Sequence, residues 1–167
     1  MKFFTIHFWL APMILCAAIF SAPARTDEIN TNKLRAQFFQ LCDVAVAKVN
    51  NDNSKGPFFM DSYAVRALCA AYDLTGNTNY LNACRHWSER MVAYQEKMVP
   101  HGAYYMHYNR KPGETTNDWY VADSSSIGMA ILATSVRCHG AEQKRLLKSA
   151  KNFAKLVIIN YVKSSGG

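Results

Sequence analysis

Two aspartates stand at the starts of predicted helices, Asp61 and Asp123, 62 positions apart, and a serine follows each. A carboxylate at a helix start can accept the unpaired backbone N–H groups of the first turn as an N-cap. It can also hold and release a proton as a general acid or base, provided its pKa lies near the working pH. The two roles pull in opposite electrical directions. The helix dipole and the N–H groups stabilise the charged carboxylate and lower its pKa, whereas a general acid near neutral pH needs it raised. For proton transfer, burial among aromatics or the charge of a second carboxylate has to win. Phe58 and Phe59 precede Asp61, and Trp119 and Tyr120 precede Asp123, so each has an apolar wall at hand.

The stretch 98–119 adds His101, Tyr104, Tyr105, His107, Tyr108 and Trp119. The rings of Tyr104, Tyr105, Tyr108 and Trp119 suit stacking on the C–H faces of sugars, and they suit lidding a hydrophobic core equally well. His101 and His107 are six apart on an irregular segment, a poor metal signature, so no metal is expected. His107 then serves a substrate hydrogen bond or a structural one. Asp118 is a third carboxylate, with a turn or surface role as its default. Ser124, Ser125 and Ser126 lack the surroundings of a nucleophile elbow. With no phosphate-binding or dinucleotide glycine pattern, no cofactor is expected. The aromatics do not alternate with basic residues as single-strand binding requires, which speaks against a nucleic-acid partner.

Periodicity of apolar residues predicts five helices to position these groups. The first covers 32–49, with Leu34, Phe38, Leu41, Ala45 and Val49 on one face, and 50–57 is a run of turn formers. The second starts at Asp61 or Ser62, with Asp61 as N-cap, and ends at Gly76. Its stripe of Ala64, Ala67, Leu68, Ala71 and Tyr72 is narrow and made mostly of small residues. Asn77 or Thr78 caps the third, which carries Tyr80, Leu81, Cys84, Trp87, Met91 and Tyr94. Pro100, Gly102, Pro112 and Gly113 exclude helix in the next stretch, where 103–108 reads as a short strand. The fourth helix runs from Asp123 to Cys138 and the fifth from Ala141 to Tyr161, with Leu146, Leu147, Ala150, Phe153 and Val157 on its apolar face. Helices two and three therefore look like one copy of a unit that helices four and five repeat. Repeated helix pairs indicate a solenoid or a closed toroid. The tail Ser164-Ser165-Gly166-Gly167 supplies no capping element for such an array, which predicts an incomplete array and self-association.

Residues 1–24 read as a cleaved secretory signal: Lys2, an apolar run from Phe3 to Phe20, then small residues at 21–24. A secreted or periplasmic protein with no stable membrane insertion after cleavage is the expectation. The remainder, 25–167, suits one domain. Its basic excess (+7 for the whole chain) is densest at Lys144, Arg145, Lys148, Lys151 and Lys155, a helical spacing that reads as a solvated face. Outside the cytoplasm such a charge also favours acidic polymers. Cys42, Cys69, Cys84 and Cys138 read as buried thiols ahead of disulfides, since Cys69 and Cys84 sit among alanines on apolar faces.

The string Tyr72-Asp73-Leu74-Thr75-Gly76-Asn77-Thr78-Asn79-Tyr80-Leu81, with Ala83 and Trp87 behind it, resembles the hairpin turn of six-hairpin glycosidases. The closest subgroup in look is the unsaturated glucuronyl and rhamnogalacturonyl hydrolases. The resemblance covers 32–161 and implies an all-α fold, about two and a half hairpins of an (α/α)6 toroid. It also implies cofactor-free hydrolysis of acidic, uronate-containing oligosaccharides, if the full toroid is present. By the same resemblance Asp123 is the proton donor and Asp61 its partner. The alternatives are a non-catalytic helical-repeat module that binds a glycan or protein, and an inactive, truncated enzyme.

Overall fold

The structure, a computed structural model, describes residues 30–52, 57–105 and 119–162. Among them there are helices and no strand: α1 (Thr31–Val49), α2 (Phe58–Thr75), α3 (Thr78–Gln95), α4 (Val121–Ser135) and α5 (Gly140–Val157), then a π-helical stretch, Ile158–Val162. The chain divides into Met1–Lys33 and Leu34–Gly167, and the hydrophobic core lies in the second unit. The expected signal sequence lies outside the described residues.

Two helix starts differ from expectation. Helix α2 begins at Phe58 behind an extended Pro57 that makes no side-chain cap bond, so Asp61 is the fourth helical residue and not the N-cap. The cause is tertiary. Phe58 is fully buried, its ring 5.2 Å from that of Tyr94 and 6.1 Å from that of Tyr105, and anchoring it extends the helix upstream of the polar residue. Helix α4 likewise begins at Val121 behind an extended Tyr120, which makes Asp123 its third residue. It ends at Ser135, short of Cys138, and the α-helical part of α5 stops at Val157. The turn between α2 and α3 follows the sequence: Gly76 takes φ 68°, a left-handed conformation natural to glycine. There its N–H reaches Tyr72 O at 2.7 Å. Asn77 then caps α3 by accepting from the Asn79 N–H at 3.0 Å.

The expected face of α1 holds at Phe38, Ala45 and Val49 and fails at Leu34 and Leu41. Leu34 and Leu41 are exposed, while Cys42 and Val49 are buried and Phe38, Phe39, Ala45 and Val46 pack against the core. Spacing alone cannot separate these two faces, because α1 carries apolar residues most of the way round.

The pairs α2–α4 and α3–α5 run parallel. Ser62 Oγ lies 2.7 Å from Ser126 Oγ at one end of the first pair. At the other end the Arg137 guanidinium grips both oxygens of Asp73, with Nε to Oδ1 at 2.8 Å. Both contacts join residues 64 apart in sequence, so the register is constant along the helices. On the other layer, Arg85 pairs with Glu142 at 2.7 Å and Glu89 with Arg145, again in ascending order on both helices. Between the layers lie Val65, Leu68, Trp87, Met91, Ile127, Ile131, Leu146 and Phe153, all buried. Cys42, Cys69, Cys84 and Cys138 are buried free thiols, as the small residues around Cys69 and Cys84 suggest. Cys69 Sγ and Cys84 Sγ are 3.7 Å apart.

Candidate active site around Asp61

Asp61 is fully buried. Its side chain leaves α2 toward α1 and α3, where Lys48 Nζ approaches Oδ1 at 2.9 Å. Neither carboxylate oxygen has a partner of hydrogen-bonding geometry among the described residues. Burial pushes its pKa up, and the opposing pull of Lys48 and Arg90 does not cancel that. The shift is therefore in the direction that a proton-holding carboxyl needs, and the fully buried Phe58 lies one turn before Asp61 in α2. The carboxyl also lies just one side chain below the surface, because Lys48 itself is 51% exposed.

Asp123 differs. It is half-buried and sits in the first turn of α4. The Ser62–Ser126 bond brings the N-terminal ends of α2 and α4 side by side, so both carboxylates belong to the same end of this helix pair. The charges acting on Asp61 are those of Lys48 and Arg90, from α1 and α3.

The aromatic candidates separate. Tyr104 and Tyr105 are buried and offer no ring face to a sugar, so of the two roles open to them the structure gives them the core lid. Tyr104 packs on Phe153 at 5.5 Å and its hydroxyl pairs with Ser149 Oγ at 2.9 Å. Gln95 completes that network, donating to Gly102 O at 2.8 Å and Ser149 O at 3.1 Å, while Ser149 Oγ donates to Gln95 Oε1 at 2.7 Å. Burial of polar atoms demands such pairing, and here it pins the 98–105 segment onto α3 and α5. No strand forms over 103–105, and the rest of the expected strand, 106–108, lies outside the described residues. Trp119 is half-buried and packs against the core. His107, Tyr108 and Asp118 lie outside the described residues. His101 is exposed and lines a recess of about 500 Å³ with Glu96, Asn152 and Lys155.

No family model matches the chain, and no curated protein or solved structure matches it either. Among the described residues no group of His, Cys, Asp and Glu could hold a metal ion, and no helix is long and apolar enough to cross a membrane.

Sequence reasoning missed a second cluster beside Asp61. Asp52 Oδ1 pairs with His86 Nε2 at 3.0 Å and with Arg90 at 2.8 Å, and Arg90 also donates to Val49 O at 3.3 Å. The His86 hydrogen bond first, and the Arg90 charge after it, hold the Asp52 carboxyl below its usual range. Asp52 and His86 line a recess of about 460 Å³ together with Val46, Asn50, Asn79, Asn82 and Ala83. Nothing in the sequence signals this group, since Asp52 sits in a turn that reads as a plain connection and its partners come from α3.

Proposed function

We propose that the helices form part of an αα-hairpin toroid of the six-hairpin glycosidase kind, in a secreted or periplasmic protein. Its function would be to hydrolyse uronate-containing oligosaccharides by carboxylate acid–base chemistry, without a cofactor. One observation carries the reading: at Asp61 burial outweighs a lysine 2.9 Å away and raises the carboxyl pKa. A raised carboxyl pKa is a shift in the direction that a general acid needs. Asp61 is then the proton donor and Asp123 the second carboxylate, the reverse of the roles that the resemblance implies. The parallel packing of α2 with α4 and of α3 with α5 supports side-by-side hairpins. The exposed lysines of α5 give an acidic chain a favourable field.

A non-catalytic module that binds a glycan or protein is the second reading, favoured by the zero exposure of Asp61 and the inward Tyr104 and Tyr105. The test is to incubate the exported chain with unsaturated-uronate oligosaccharides and follow loss of the ultraviolet absorbance of the double bond. Turnover that disappears in Asp61→Asn and in Asp123→Asn, with helicity unchanged, is the expected outcome. Unchanged turnover in either variant removes that residue from the mechanism, and binding without turnover in the parent favours the second reading.

A further inference from the structure

Cys69 of α2 and Cys84 of α3 meet inside the core. They are 1% and 0% exposed, and their sulfurs are 3.7 Å apart, contact distance for two unbonded sulfurs. The approach follows from the backbone. A helical Cα–Cβ bond leans toward the N-terminus, so the Cys69 side chain lies toward the turn that begins at Val65. The Val65 carbonyl takes the Cys69 N–H in the α-helical pattern, and Cys84 Sγ rests 3.4 Å from that same oxygen. A sulfur of α3 thus sits against the main chain of α2, on the side that the Cys69 side chain occupies. Cys69 S–H donates to Cys84 Sγ, and Cys84 S–H to Val65 O.

We propose that these two thiols are a disulfide site that ties α2 to α3 when the folding chain meets a disulfide oxidant. The pairing rests on geometry, and only the supply of oxidant rests on the proposed export. The reaction is an exchange. One cysteine thiolate attacks a sulfur of the oxidant's disulfide, forming a mixed disulfide and releasing one thiol of the oxidant. The second cysteine attacks the mixed bond, forming Cys69 Sγ–Cys84 Sγ and releasing the second thiol. The two cysteines lose two electrons, and their two protons end on the released thiols. The sulfurs close from 3.7 Å to about 2.05 Å. No polar group is orphaned, since both S–H hydrogens leave and Val65 O keeps its helical bond. Thr134 Oγ1, 3.9 Å from Cys69 Sγ, already donates to Ala130 O and accepts from Ser88. Burial sets the timing. A reagent does not reach either sulfur in the closed fold, so oxidation belongs to the folding chain or an opened hairpin. The same burial then shields the bond from reductants.

To test this, the chain is refolded with oxidised and reduced glutathione, denatured in iodoacetamide and digested with trypsin without reductant. No Lys or Arg lies between Arg66 and Arg85, so one peptide, 67–85, carries both cysteines and neither Cys42 nor Cys138. It is expected to be two hydrogens lighter than the reduced peptide and free of alkyl groups, with Cys42 and Cys138 alkylated. The melting temperature of the parent is expected to rise on oxidation, and that of Cys84→Ala to stay the same. Two alkyl groups on 67–85, or either cysteine joined to Cys42 or Cys138, overturns the pairing. A bond that forms without raising the melting temperature overturns its role as a tie. The same trapping on chain taken from an exporting cell separates the two readings. A bond formed with glutathione but absent there supports the pairing and counts against the proposed export.

Discussion

Lys48 Nζ lies 2.9 Å from Asp61 Oδ1, yet the buried carboxyl still has a raised pKa. Removing a carboxylate from water costs more than one half-exposed ammonium returns. The balance has consequences for stability and for pH.

Because its pKa is higher in the fold than in the unfolded chain, the folded state holds the Asp61 proton more tightly. Stability from this group is fully present below the unfolded value near 3.8 and falls as pH rises through the folded value. Asp61→Asn removes that penalty and leaves Lys48 in contact with water. Denaturant unfolding is expected to show the variant gaining on the parent as pH rises from below the unfolded pKa toward neutrality. A loss at neutral pH would mean that the ion pair outweighs the burial.

Tyr104 makes the corresponding prediction on the alkaline side. Burial raises its hydroxyl from 10.0 to about 12, so the fold favours the neutral phenol. Its contribution is intact below pH 10 and is lost as pH rises toward 12. Tyr104→Phe is expected to flatten the fall in melting temperature over that window, read by a thermal melt at each pH.

The Gln95 network ranks two substitutions. Tyr104→Phe deletes one bond, but Ser149 Oγ keeps its bond to Gln95 Oε1, so the cost near neutral pH is about 1 kcal/mol. Gln95→Ala leaves Gly102 O, Ser149 O and Ser149 Oγ short of a partner and is expected to cost about 3 kcal/mol. Chemical denaturation of the two variants reads the difference directly. Equal costs would show that the amide carries no more than the phenol.

Gly102→Ala is expected to be worse than its size suggests. Gly102 has φ 98°, and an added Cβ would stand 2.7 Å from Asn152 O on the α5 backbone. Both the left-handed backbone and the clash with main chain oppose the methyl group. A loss of roughly 2 kcal/mol or more in unfolding free energy is the outcome to check, against Gly76→Ala, where the added Cβ meets nothing within 4 Å.

Asp73 and Arg137 join the far ends of α2 and α4. The pair holds the Asp73 carboxyl below its usual range, chiefly through the Arg137 hydrogen bond. Its stabilisation is present above the unfolded carboxyl value and disappears as pH falls through the folded one. Asp73 is 49% exposed, so solvent screening limits the coupling to about 0.5 kcal/mol. A double-mutant cycle with Asp73→Ala and Arg137→Ala at two pH values measures it, and a coupling that survives acid would contradict the assignment.

The sequence alone determined the helices, most of their boundaries, the α2–α3 turn at Gly76 and Asn77, and the inward stripes of α3 and α5. Those features depend on local spacing and on the φ freedom of one glycine, both of which are written in neighbouring residues. Only the tertiary structure decided where α2 begins, because burial of Phe58 against Tyr94 and Tyr105 outweighed the capping preference of Asp61. Tertiary contacts alone turned Leu34 and Leu41 of α1 outward, sent Tyr104 and Tyr105 into the core, and joined Asp52 to His86 and Arg90. In each case the deciding partner is distant in the chain. A carboxylate's pKa, a ring's exposure and a helix's rotation depend on which distant groups exclude water from it, and spacing along one chain does not carry that information.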